Sequence, residues 1–171
     1  MATIMRDKKK ELFANAVAVN PALKQAKIWI WGVLIFWIVT RFLLVATEIY
    51  CSSQDYLETT FNASNMTVSI MAILLAFAIA SGAKALAFLP IAGSAMMIVQ
   101  TFSEGFGVFF STAYDLPIAL RLYGVAFVLA SYAQLVCMLL VLLPKKCRSY
   151  FDVMATINKQ SMPGAATLPK E

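Results

Sequence analysis

Apolar residues run almost unbroken through Ile28–Tyr50, Met66–Phe110 and Pro117–Leu143, while polar and charged positions gather between and beyond these runs. A membrane-crossing helix needs about 20 consecutive apolar residues to span a core of about 30 Å. The first and third runs fit one crossing each. The middle run, 45 residues carrying only Lys84 and Glu104 as charges, would be roughly 67 Å long as one straight helix. It therefore has to fold back. Its breakers are Gly82, Pro90 and Gly93, with Lys84 among them, so the bend is expected between Gly82 and Pro90, separating a helix over Met66–Leu86 from one over Pro90–Thr112. The pattern predicts an all-α, polytopic membrane protein with four transmembrane helices.

The flanks refine this division. Residues 1–26 form a basic segment in which Leu12, Phe13, Ala16 and Val17 recur at helical spacing behind the charges Arg6 to Glu11. That predicts a short amphipathic N-terminal helix lying on the membrane surface. Asn20-Pro21 reads as an N-cap with proline in the first helical turn, opening the next helix. Residues 27–144 form the four-helix transmembrane domain. Trp29, Trp31 and Tyr50 stand at the ends of its first span, as in an interfacial aromatic belt. Residues 145–171 are expected to be a basic cytoplasmic tail, largely flexible after its first turns because it carries Pro163, Gly164 and Pro169.

Charge then orients the spans. Six basic residues precede the first span, Lys84 sits at the bend and five follow Leu143, whereas the connections after Tyr50 and after Thr112 hold none. This is the positive-inside pattern, and it predicts both termini on the cytoplasmic side of a plasma membrane. The net charge of +5 is explained by these flanks, beside lipid headgroups, and not by a nucleic-acid surface. Sixty-one per cent of the residues are hydrophobic and 13% charged, against about 45–50% and about 25% in soluble domains, so the partner of most of the surface is the lipid bilayer. Histidine is absent, which removes imidazole bases and the usual zinc and bis-histidine haem sites. No metal site, cofactor or catalytic group is expected. Cys51, Cys137 and Cys147 are too dispersed to pair. Cys147, between Lys146 and Arg148 at a membrane exit, has the setting of a palmitoylation site in a eukaryotic host. Asn62 and Asn65 head two sequons in the first outer connection.

Candidate chemistry lies in the charges within the spans. Counted at 1.5 Å per residue, Arg41, Glu104 and Arg121 fall at one depth, toward the outer leaflet, on three different helices. A lone charge in hydrocarbon costs at least ~2.5–3.5 kcal/mol, so the three are expected to meet as an intramembrane cluster. Arg41 and Glu48, seven residues apart, share a helix face. Gln100, Ser131 and Gln134 form a possible polar path, with the stripe Ser131, Gln134 and Cys137 as a candidate partner of Gln100 across helices. Ala72, Ala76 and Ala80 make a small-residue stripe for close helix packing. Two functions are compatible with this set. The first is a non-catalytic subunit or assembly component of a membrane complex, oligomeric or docked on a membrane-protein partner. The second is a small ion or solute channel or transporter whose charged site is Arg41, Glu104 and Arg121.

Overall fold

The computed structural model describes residues 2–53, 63–100 and 118–161, and among them every regular element is helical. Helix α1 covers Ala2–Val19, α2 Ala22–Ser53, α3 Ala63–Ala80, α4 Phe88–Gln100, α5 Ile118–Leu142 and α6 Lys145–Gln160; a 3₁₀ turn, Lys84–Ala87, leads into α4. α2 and the Arg121–Leu142 part of α5 are long and apolar enough to cross a membrane, and Thr67–Ala80 and Lys84–Val99 are shorter apolar helices.

α2 is the hub. It packs against α5, α3 and α6, while α4 lies on α5. Its buried side chains, Leu23, Ala26, Ile30, Leu34, Trp37, Arg41, Leu44, Glu48 and Cys51, recur three or four residues apart and form one stripe along the whole helix. The opposite faces are apolar too: Phe36, Phe42, Leu43, Leu74, Phe77 and Leu129 are all exposed, as a lipid-facing surface requires. Asn20 starts α2 as the sequence predicts, its Oδ1 accepting from the Ala22 amide at 3.2 Å and its carbonyl from Leu23 at 3.1 Å.

The bend falls inside the expected interval, but α3 ends at Ala80 and not at Leu86. Gly82 is the cause. Its φ of 103° is a left-handed conformation, and the Gly82 and Ala83 amides turn back to the carbonyls of Ile79 and Ala78 at 2.9 and 3.0 Å. This is a Schellman closure with glycine at the position that needs positive φ. It leaves the carbonyls of Ala80 and Ser81 without backbone donors. Both are met from the far end of the chain, by the Tyr150 hydroxyl at 2.5 Å and the Asn158 amide at 3.4 Å.

Those donors belong to α6, which corrects the expectation of a largely flexible tail. Lys145–Gln160 is a helix that buries Cys147, Tyr150, Phe151 and Ile157 beneath the bundle. The apolar positions 147, 150, 151 and 157 fall on one helical face, so burial outweighs the polar composition of the segment; residues 162–171 lie outside the described residues. Pro144, in extended conformation, separates α5 from α6 while its carbonyl accepts the first amides of the new helix. Helix α1 forms as expected, but it lies on protein as well as on any membrane surface. The Phe13 ring meets Tyr150 edge-on at 6.0 Å, and the Lys27 ammonium sits 4.8 Å from the Phe13 ring centre. Cys147 is wholly buried in this layer, and burial pushes its thiol up despite the neighbouring Lys146. That removes the exposure an acyl transferase would require, correcting the palmitoylation setting read from the sequence.

Two outcomes test this layer. A Cβ at position 82 would stand 2.5 Å from the Met154 Cβ and would have to adopt a left-handed φ. Gly82→Ala should therefore lower stability by roughly 1–3 kcal/mol and speed tryptic cleavage within α6, measured on the detergent-solubilised chain. The Tyr150 hydroxyl is pushed up to about 12 from 10.0 by burial. Because the folded state favours the neutral phenol, its contribution is complete below pH 10 and is lost as pH rises through about 12. An alkaline titration followed by tyrosinate absorbance and far-UV dichroism should show α6 loosening in that window. The Tyr150→Phe protein should lack this step.

Candidate functional site

The buried polar groups of the apolar helices fall into two tiers, both hung on the inner stripe of α2. The lower tier is a three-helix tie. Gln134 of α5 is 7% exposed; its Oε1 accepts from the Trp37 indole of α2 at 3.1 Å, and its Nε2 donates to the Pro90 carbonyl of α4 at 2.7 Å. The Ser94 hydroxyl donates to the same carbonyl at 2.8 Å. One amide side chain thus joins α2, α4 and α5, and its carbonyl and amino group each have a partner.

The upper tier is built around Arg41, 3% exposed on α2. One guanidinium nitrogen, Nη1, approaches the Met97 sulfur of α4 at 4.0 Å, and the buried Nε has no hydrogen-bond partner among the described residues. Among the described residues the charge that acts on this cation is Glu48, two turns further along the stripe and 6% exposed, and Tyr123 of α5 lies near it. The shared face of Arg41 and Glu48 follows from their seven-residue spacing. Tyr123 had no such signal, because an aromatic residue near the end of a span reads first as an interfacial anchor.

Set against the sequence-derived set, Arg41 faces the bundle interior. Arg121 is exposed at the start of α5, two residues before Tyr123, and Glu104 lies outside the described residues. Of the polar-path residues, Gln134 is engaged in the three-helix tie, with Trp37 and Pro90 as its partners among the described residues. The side chain of Gln100 lies outside those described. Ser131 is buried and its hydroxyl donates at 2.8 Å to Phe127 of its own helix. Thr40 and Thr47 likewise turn their hydroxyls onto the carbonyls of Trp37 and Leu44. Ala72, Ala76 and Ala80 are all buried on α3, the helix that packs on α2, so the small-residue stripe is spent within the protomer. Trp37 and the Pro90 carbonyl were not singled out from sequence. The proline was read as a helix breaker, and a carbonyl carries no side-chain signature.

Among the described residues no group of histidine, cysteine, aspartate or glutamate side chains could hold a metal ion. The three cysteines are buried. The chain matches no family model, no curated protein and no solved structure.

The tie has a measurable strength. Interhelical hydrogen bonds within membranes are worth about 0.6 kcal/mol on average and up to about 1.7 kcal/mol. Gln134→Leu should lower stability by about 1–2 kcal/mol in detergent unfolding. A double-mutant cycle of Trp37→Phe with Gln134→Leu should return a coupling of roughly 0.6–1.7 kcal/mol.

Proposed function

We propose that this chain is a four-span membrane protein with both termini cytoplasmic, acting as a non-catalytic subunit or assembly component of a membrane complex. The observation that carries this reading is the engagement of polar side chains within the spans. The Gln134 amide is shared between Trp37 and the Pro90 carbonyl, and the hydroxyls of Thr40, Thr47, Ser94 and Ser131 bond to backbone. Gln134 holds three helices together and the hydroxyls are spent on their own helices, which leaves little to coordinate a moving ion. The four-span topology is supported by the Schellman bend at Gly82, which sets Lys84 exposed on the same side as the basic helices α1 and α6. The charges then lie together, as a cytoplasmic face requires.

A second reading rests on one specific observation. The buried Arg41, whose Nε has no partner among the described residues, resembles an anion-binding or gating group more than a cohesive one. A small channel or transporter would use it together with Glu104 and Arg121.

Topology and function are tested together. A cysteine introduced at Lys84 should react with a bulky thiol reagent only from the cytoplasmic side, and reaction only from outside would sink the four-span arrangement. Purified in mild detergent, the protein should have a mass above one 18.8 kDa chain, through self-association or a co-purifying partner. Reconstituted in liposomes, it should give no ion or solute flux above that of empty vesicles. Flux abolished by Arg41→Met would transfer the assignment to the channel reading.

A further inference from the structure

A cleft of about 920 Å³ opens where α1, α6 and the Gly82 bend meet, away from both tiers of the intramembrane polar groups. Its rim is basic. Arg6, Lys9 and Lys10, with Phe13 and Ala14, line it from α1, and Lys27 lines it from the first turns of α2. Residues 6, 9, 10, 13 and 14 recur at three- and four-residue intervals, so a single face of α1 is turned to the opening. Its floor is apolar, formed by Phe13, Trp31, Ala78 and Met154, and Ser81 and Asn158 supply neutral polar groups between floor and rim. Among the described residues no acidic side chain lines the cleft; Asp7, 4.0 Å from Lys10, is on the exposed side of α1.

Four cations above an apolar floor fit a molecule that is anionic at one end and hydrocarbon at the other. The volume lies within the ~300–1,000 Å³ of small-molecule sites. We propose that this cleft binds one anionic phospholipid. Its phosphate sits among Lys9, Lys10, Lys27 and Arg6, and the upper part of its acyl chains lies along Trp31 and Ala78. The site rests on the reading that this end of the bundle faces the cytoplasmic leaflet, where basic pockets beside spans collect anionic headgroups. A bound lipid would bridge α1 to the bend that α6 closes, making the docking of both surface helices responsive to lipid composition.

Native mass spectrometry of the full chain in detergent, titrated with phosphatidylglycerol or phosphatidylcholine, tests the site. The expected result is one phosphatidylglycerol retained per chain and no retained phosphatidylcholine. Lys9→Gln/Lys10→Gln/Lys27→Gln should weaken retention by about tenfold or more. Ala14→Trp leaves every charge in place and fills the cleft from an exposed position, so it should also abolish retention. Lys145→Gln/Lys146→Gln, basic residues outside the cleft, should change nothing. Glycerol phosphate should not displace the lipid, because it cannot use the apolar floor; displacement by it would assign the cleft to a soluble phosphate. An unaffected Ala14→Trp protein, or equal loss in the Lys145/Lys146 variant, would show diffuse charge attraction and overturn the proposal. Binding that emerges only after deletion of residues 162–171 would overturn it as well, in favour of the chain's own tail. The side of the membrane is read separately from labelling at Lys84, so failure of the topology and failure of the site are distinguishable.

Discussion

A helix that turns back inside an apolar run leaves carbonyls at its end that neither neighbouring helix can satisfy, and buried carbonyls without donors are costly. At the end of α3 those carbonyls are all accounted for. Ala78 and Ile79 are closed by the Schellman amides, and Ala80 and Ser81 by Tyr150 and Asn158 from a helix some 70 residues later. The arrangement of this end of the bundle follows from this requirement. α6 has to lie across the bend for its two donors to reach, and it can come that close only because residue 82 is a glycine with no Cβ to strike Met154. α1 then rests on the layer so formed, Phe13 against Tyr150. Tyr150 thus serves at once as a backbone cap, a core side chain and the platform for a third helix.

The lower tie repeats the principle within the spans. Proline at position 90 lies in the first turn of α4, and its carbonyl becomes the point where Gln134 and Ser94 both donate. A polar side chain there costs little, because each of its groups is matched, and it fixes which faces of three helices meet. The apolar contacts above and below set no such register, since leucine and alanine faces pack nearly as well when slipped by a turn. Cohesion comes from van der Waals packing along the α2 stripe, and register from a few hydrogen bonds.

The helical class, the bend near Lys84 and the start of α2 at Asn20-Pro21 were legible because each rests on local signals: hydropathy, a glycine and an N-cap. The buried stripe of α2 was half legible. Arg41 and Glu48 reveal it by their seven-residue spacing, but in a helix apolar on every face the remaining stripe positions do not differ from their neighbours. What escaped were contacts joining distant segments through a backbone atom. Neither the Pro90 nor the Ala80 carbonyl has an identity in a string of letters, so neither Gln134 nor Tyr150 pointed to its backbone partner. The α6 pattern at 147, 150, 151 and 157 was present, but prolines and glycine further along the tail overshadowed it. The depth argument that united Arg41, Glu104 and Arg121 used only distance along each helix. It had no term for rotation, and rotation decides that Arg41 is buried while Arg121 is exposed.

Rotation also explains how a buried arginine is kept in place. Left alone, a cation within a span lowers its cost by turning its helix until the side chain can snorkel along the lipid face to the interface. Trp37 is one turn from Arg41 on the same stripe, and its indole is held by Gln134, which is held in turn by the Pro90 carbonyl. Turning α2 far enough to free Arg41 would pull the indole from its acceptor and expose the rest of the stripe, from Leu23 to Cys51. The tie therefore does more than join three helices. It holds the guanidinium inward, beside Met97, Tyr123 and Glu48, in a position that arginine's own solvation disfavours. A bundle that needed only cohesion could place leucine at position 41 and gain packing. That an arginine occupies it, held by a neighbouring tie, is the strongest physical reason for regarding the upper tier as a site in its own right.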